Sequence, residues 1–382
     1  MTSAARRDSR PPWRPALSRR MMVVGVGVVL LAAAVAIGLV APWERGPARR
    51  RPSQDGQGVP LRGPSGLRLL VASDPTPFVL DVDTGAIQPV TGLPTDEDRS
   101  THVESVGEDA VVVSRRDCRG GDCDADSVVY LLRHGSTVAT RLGAALDVQW
   151  SRDGLGVWLL SRQDATHCAL SQVGLDGQQR RPVRPMPCEA VLIEELPAGL
   201  LVYGSARSGD GPYSALVTAD GGFRRLPEVV DGVAGGDLVL GTVERGRLIA
   251  LTDVRSGVSH RLPWPSKLDA HVMGLIGGHP NGRLAHVAFY PALDGAEQTL
   301  DVWLLDLTTR QWQQLPDMPL RLAPTKPQLR WTADGRLLLL AGLTGDPAGL
   351  VAVWRPGEPR IAVREVRLPE PERRSGFRFA IW

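Results

Sequence analysis

The segment CRGGDCDADS contains the residues whose types and spacing come closest to a metal site. Asp122, Asp124 and Asp126 alternate with other residues, a spacing that lines carboxylates along one side of a calcium-binding loop. However, Ser127 stands where an EF-type loop needs glycine, and Arg133 stands where it needs a bidentate glutamate. The pattern therefore favours a polar loop tip, with calcium binding by the three aspartates as the alternative.

The four cysteines indicate disulfide chemistry. Cys118 and Cys123 flank two glycines that let the chain close a small loop, and Cys168 and Cys188 follow further along. Their spacing lacks the two matching ligand pairs of a zinc site. Paired thiols of this kind are typical of an oxidising compartment, so we predict disulfides and an extracytoplasmic location.

No catalytic motif occurs in the sequence. It contains no G-x-S-x-G nucleophile elbow, no H-E-x-x-H zinc motif and no P-loop. The seven histidines are scattered, with no spacing that suggests a triad. We therefore predict a protein that is not an enzyme, with no catalytic residue, no metal and no cofactor.

The charge distribution excludes nucleic acid as a partner. The chain has 382 residues and a net charge of +2. Residues 1–20 carry a net charge of +5 and residues 44–65 carry +3, which leaves −6 on residues 66–382. Phosphate contacts need clustered cations, and a weakly acidic main domain does not supply them.

Recurring glycine turns organise residues 66–382. A turn ending in glycine is followed by an apolar strand in QWSRDGLGVWLL, GHPNGRLAHVAF and RWTADGRLLLLA, and in four weaker copies. The steps between successive copies average about 45 residues, which is the period of a propeller blade. The sequence therefore predicts an all-β, seven-bladed β-propeller, with the markers Gly66, Gly107, Gly154, Gly199, Gly236, Gly282 and Gly335.

The C-terminal segment is predicted to close this ring. The first marker has no strand before it within the domain, and Gly376 to Trp382 alternates apolar residues without following strands of its own. Completing the first blade with this segment would remove open sheet edges, which favours a closed, monomeric propeller.

The repeats resemble those of WD-repeat-like propellers of the TolB type. Ser151 to Gly154 and Thr332 to Gly335 match the [S/T]-x-D-G turn of that family, whereas His279 to Gly282 has Asn281 in place of aspartate. The resemblance implies a propeller fold and a binding role, without naming a ligand. Because nearly all basic residues are arginine, we expect a bacterial envelope protein encoded by GC-rich DNA.

The chain before the propeller is predicted to anchor it in a membrane. Residues 21–43 carry no charge and are long enough to cross a bilayer as a helix. The prediction is a cytoplasmic tail at 1–20, a single transmembrane helix at 21–43, a flexible Pro/Gly/Arg-rich linker at 44–65 and an extracytoplasmic propeller. The alternative is a cleaved signal peptide, since Ala34-Val35-Ala36 resembles a cleavage site.

Function is predicted to reside in the loops that interrupt the repeat, because propellers bind through loops on one rim. We predict a binding module for a protein, a cell-wall polymer or a small ligand. The alternatives are a hydrolase or lyase acting on envelope glycans, and a sensor whose basic tail contacts a cytoplasmic partner. The irregular loops are expected to share one face, and their candidate contact residues are Arg115, Arg116, Arg119, Arg162, Arg207, Asp210, Tyr290 and Asp294.

Overall fold

The computed structural model describes the greater part of the predicted propeller. The described residues are 58–73, 76–93, 99–107, 110–117, 126–164, 167–204, 211–244, 247–265, 268, 271–291, 298–322, 327–342, 348–369 and 378–382. Within these ranges no helix is long and apolar enough to span a membrane. The predicted tail, membrane helix and most of the linker lie outside the described residues.

The described residues form seven sheets, antiparallel except for one short edge strand, and the sheets are numbered here in the chain order of their marker glycines. Strands are ordered from the axis outward. Sheet 1 contains β30 (Arg378–Ile381), β2 (Arg68–Ala72), β3 (Phe78–Asp81) and β4 (Ile87–Pro89). Sheet 2 contains β5 (Arg99–Val106), β6 (Ala110–Asp117), β7 (Ser127–Arg133) and β8 (Thr140–Ala145). Sheet 3 contains β9 (Asp147–Trp150), β10 (Gly156–Arg162), β11 (Cys168–Gly174) and β12 (Gln179–Met186).

The next three sheets repeat this order. Sheet 4 contains β13 (Ala190–Leu196), β14 (Gly199–Gly204), β15 (Tyr213–Val217) and β16 (Phe223–Arg225). Sheet 5 contains β17 (Gly232–Gly235), β18 (Leu238–Val243), β19 (Leu248–Asp253) and β20 (Ser259–Pro263). Sheet 6 contains β21 (His271–Gly278), β22 (Leu284–Pro291), β23 (Gln298–Asp306) and β24 (Trp312–Gln314), and β25 (Leu320–Leu322) also pairs with β23.

The last sheet carries a strand from the start of the propeller. Sheet 7 contains β26 (Gln328–Trp331), β27 (Leu337–Gly342), β28 (Ala348–Trp354), β29 (Ala362–Arg367) and, beyond β29, β1 (Val59–Pro60). All residues of β27 are buried, because neighbouring sheets cover both of its faces. Outer strands such as β4 are exposed along their whole length.

Hydrophobic clusters lie between successive sheets. Among the described residues, six of the seven clusters draw their side chains from two sheets that follow one another in the chain. The seventh joins Leu338 and Val351 of sheet 7 to Leu69 and Phe379 of sheet 1, so the last sheet packs on the first. The predicted all-β propeller fold is confirmed.

The C-terminal strand pairs where the sequence predicts. Strand β30 runs antiparallel to β2, with Phe379 opposite Val71 and Ile381 opposite Leu69. Phe379 is fully buried. Sheet 1 therefore combines the last described residues of the chain with its first repeat.

Six of the marker glycines lie at turns between the first and second strands of their sheets, and Gly66 precedes β2, the second strand of sheet 1. All seven have a positive φ, a conformation in which a side chain is strained. In the turn before β10, Asp153 Oδ1 accepts hydrogen bonds from Ser151 Oγ at 2.6 Å and from the Leu155 amide at 2.9 Å. The Asp-Gly pair thus shapes the turn, as the repeat pattern predicts.

Strand β1 begins seven residues before the predicted start of the propeller. Val59 and Pro60 pair in parallel with Ala362 and Val363. Arg364 donates hydrogen bonds to the carbonyls of Leu61 and Gly63, both at 3.0 Å, and its charge pairs with Asp83 at 2.5 Å. The end of the predicted linker is therefore attached to sheets 7 and 1. Its composition does not indicate this attachment, because a strand of only two residues is enough to extend a sheet edge.

Candidate functional site

An axial cavity of 460 Å³ lies between the inner strands of four sheets. Its walls come from β30, β5, β9 and β13, the inner strands of sheets 1 to 4, together with the start of β7. This volume falls within the range of about 300–1,000 Å³ that is typical of small-molecule sites. The lining residues are His102, Glu104, Ser127, Leu146, Asp147, Val148, Gln149, Trp150, Val191, Leu192, Ile193 and Arg378.

The cavity lies toward the face where the inner strands begin. Asp147 and Arg378 are the first residues of their strands, and Ser127 is the first residue of the third strand in sheet 2. Strands in each of these sheets alternate in direction, so the second strands end and the third strands begin on this same face. The cavity therefore lies toward the side of the propeller on which the second strands end.

A chain of polar contacts crosses the cavity wall. The Arg378 guanidinium contacts His102 Nδ1, and His102 Nε2 lies 2.8 Å from Glu104 Oε1. Glu104 Oε2 in turn accepts a hydrogen bond from Arg330, on the inner strand of sheet 7. The side chains of Glu104 and Arg330 are only 14% and 18% exposed, so this ion pair is held in a partly desolvated position.

Glu104 and Glu194 have opposite pKa shifts. Burial alone would raise the pKa of Glu104, but the charge of Arg330 and the hydrogen bond from His102 lower it to about 2. Burial raises the pKa of Glu194 to about 7, the negative charge of Glu104 adds to the rise, and Arg330 opposes it. Near neutral pH Glu104 is therefore a carboxylate, whereas Glu194 is partly protonated.

The opposite wall combines an aromatic ring with aliphatic side chains. Trp150 lines the cavity, and the Arg330 guanidinium lies 5.9 Å from its ring centre. Val191 is 49% exposed although it is a valine on an inner strand. Asp147 accepts hydrogen bonds from the backbone amides of Val148 at 2.9 Å and Leu192 at 2.6 Å, which fix its carboxylate in the wall.

A buried histidine lies on the far side of Arg330. Burial lowers the pKa of His286 to about 3, and the charge of Arg330 adds to this effect, so the imidazole is neutral. Its ring centre lies 6.0 Å from that of Trp331, which donates a hydrogen bond to the Gly277 carbonyl at 3.1 Å. The neutral ring leaves Glu104 as the charged group that pairs with Arg330 among the described residues.

The structure describes some of the contact residues that the sequence predicts in the loops. Arg115 and Arg116 lie on β6, where their backbones pair with Thr101 and Ser100 of the strand that carries His102. Arg162 ends β10 and forms an ion pair with Asp126 at 3.8 Å. The remaining loop candidates Arg119, Arg207, Asp210 and Asp294 lie outside the described residues.

Tyr290 is placed in the core at the end of its strand. It lies on β22 and packs against the cluster between sheets 6 and 7, and burial raises the pKa of its hydroxyl. A side chain at Gly274 would lie 3.1 Å from the tyrosine ring. These contacts give Tyr290 a packing role next to the inner strand.

One predicted disulfide is confirmed. Cys168 and Cys188 are joined, with an S–S distance of 2.00 Å. Cys118, Cys123, Asp122 and Asp124 lie outside the described residues, so the second disulfide stays a prediction and the calcium alternative is not tested. Among the residues that the structure describes, no group of three or more metal-binding side chains is assembled.

Sequence reasoning missed the charged residues of the axis. Glu104, Glu194, Arg330 and Arg378 all lie on the inner strands of their sheets. The available signal was a charged residue inside an otherwise apolar strand before a marker glycine, as in VESV, LIEEL and QLRW. These strands were expected to be structural, which directed the search to the loops.

Comparisons with known proteins support the fold alone. A putative 6-phosphogluconolactonase from Bacteroides uniformis superposes with a TM-score of 0.52 at 11% identity, covering 82% of this chain and 99% of its own. A protein from Lactobacillus plantarum gives 0.50 at 13% identity, covering 82% and 99%. A functionally unknown protein from Desulfotomaculum acetoxidans gives 0.50 at 14% identity, covering 82% and 98%. No protein-family model and no curated protein matches the chain.

Proposed function

We propose that this protein is a binding module whose axial cavity holds a small polar ligand. The observation that carries the proposal is the 460 Å³ cavity between the inner strands of sheets 1 to 4. Its wall offers both an apolar surface, at Trp150 and Val191, and charged groups, at Glu104 and Arg378. An apolar wall with a few fixed polar groups is the usual composition of a small-molecule site.

The propeller is proposed to have seven blades and to lie outside the cytoplasm, tethered by residues 21–43. Seven sheets and seven intervening clusters support the blade count. The disulfide Cys168–Cys188 supports an oxidising compartment. The repeat turns support a relation to bacterial envelope propellers of the TolB type.

A filled-cavity variant tests the binding proposal. The full chain in detergent is screened by ligand-observed NMR against mono- and disaccharides, hexuronates and small aryl carboxylates. Val191→Trp should abolish binding because the larger side chain occupies the cavity. Val183→Trp is the matched control, since this valine is 52% exposed on the outer strand β12. Absence of any binding, or equal loss in both variants, would contradict the proposal.

A second candidate function is acid–base catalysis on a glycan. The specific observation is the pair Glu104 and Glu194, with pKa values of about 2 and about 7. Such a pair supplies one stabilising carboxylate and one proton donor. Hydrolysis of 4-nitrophenyl glycosides that disappears in both Glu104→Gln and Glu194→Gln, but persists in Glu195→Gln, would establish this activity in place of simple binding.

A further inference from the structure

The mouth of the axial cavity carries a positive charge without a matching carboxylate. Arg378 is exposed, lines the cavity and contacts His102 Nδ1. Among the residues that the structure describes, no carboxylate forms an ion pair with it. A guanidinium has five N–H donors, so most of the hydrogen-bonding capacity of Arg378 is available to a ligand.

The nearby acidic groups are already engaged. Glu104 accepts hydrogen bonds from Arg330 and His102. The His102 ring lies between the two groups, with Nε2 2.8 Å from Glu104 Oε1 and Nδ1 in contact with the Arg378 guanidinium. Asp147, in the opposite wall, accepts the backbone amides of Val148 and Leu192. The carboxylates therefore stabilise the wall and leave the charge of Arg378 facing the cavity.

We infer that the axial cavity binds an organic carboxylate, with the carboxyl group on Arg378 and the apolar body against Trp150 and Val191. This inference rests on the proposed binding function and specifies its ligand class. A planar guanidinium pairs with a carboxylate through two parallel N–H···O bonds, which a neutral amide does not reproduce. The aromatic and aliphatic wall favours a flat or apolar body.

Matched acids and amides test the ligand class. Phenylacetate and indole-3-acetate are titrated against the full chain by ligand-observed NMR, beside phenylacetamide, indole-3-acetamide and phenyl phosphate. We expect each acid to bind about tenfold or more tightly than its amide, the difference that a hydrogen-bonded charge typically makes. Amides that bind as well as the acids would overturn the inference while leaving the binding proposal intact. If phenyl phosphate binds and neither acid does, the choice of a carboxylate as the ligand class would be overturned.

Variants of Arg378 test whether this residue binds the carboxylate. Arg378→Gln should remove the preference for acid over amide, and Arg378→Lys should restore part of it. Arg283→Gln is the control. Arg283 lies just before the second strand of sheet 6 and is equally cationic, but it pairs with Asp306. An unchanged preference in Arg378→Gln, or an equal loss in Arg283→Gln, would contradict the role of Arg378. Failure of every probe, including the saccharides of the first screen, to bind the parent protein would refute the binding proposal itself.

Discussion

Glu194 makes stability depend on pH in an unusual direction for a carboxyl group. Its pKa is raised from 4.5 to about 7 in the folded protein, so the folded state keeps a proton that the unfolded chain releases. Stability should therefore fall as pH rises from 4.5 to about 7. Such a shift corresponds to at most about 3 kcal/mol. Glu104 acts in the opposite sense, since its lowered pKa withdraws stability only below pH 4.5.

Glu194→Gln isolates this effect. The variant should be more stable than the parent by up to about 3 kcal/mol at pH 8 and similar to it at pH 5, because a neutral amide avoids the buried charge. Chemical denaturation at both pH values measures the difference. Glu195→Gln is the matched control, since Glu195 lies on the same strand but pairs with Arg181 at 3.5 Å. A parent and variant that change in parallel with pH would contradict the assignment.

At the scale of the element, two glycines with similar positive φ angles distinguish backbone strain from steric clash. Gly154, with a φ of 67°, lies where an added Cβ would be 2.8 Å from the Gly107 backbone. Gly177, with a φ of 82°, has open space around it. Gly177→Ala should cost about 1–2 kcal/mol through backbone strain alone. Gly154→Ala should cost at least about 1 kcal/mol more in denaturant unfolding; equal costs would show that the turns of sheets 2 and 3 do not pack closely.

These elements also show which parts of the molecule the sequence can predict. The marker turns and the apolar strands after them are local sequence patterns, so spacing and residue type were sufficient to predict the propeller. Strand β1 is short, and its partner lies about 300 residues away, so no local pattern indicates it. Arg330 and Glu104 are 226 residues apart, and only the assembled inner strands bring them together. The axial cavity was therefore missed even though its strands were within the predicted propeller.

For the whole molecule, the contact between the last and first sheets should determine stability. Phe379 is fully buried in the cluster that joins sheets 7 and 1. Phe379→Ala should lower the free energy of unfolding by about 3–5 kcal/mol. Phe223→Ala is the control, because Phe223 is 46% exposed on the outer strand β16, and its loss should cost much less. Similar unfolding midpoints for the two variants would show that the contact between sheets 7 and 1 contributes little to stability.

The attachment of β1 has a mechanical consequence. Val59 and Leu61 donate hydrogen bonds to the carbonyls of Ile361 and Val363, at 2.8 and 2.7 Å, and Arg364 holds the next carbonyls. Tension applied to the chain ahead of Gly58 would act along β1, so these bonds would resist together in shear. The force would reach sheet 7 before it reached the first full strand of the propeller. The short strand therefore protects the closed ring from any pull transmitted by the preceding segment.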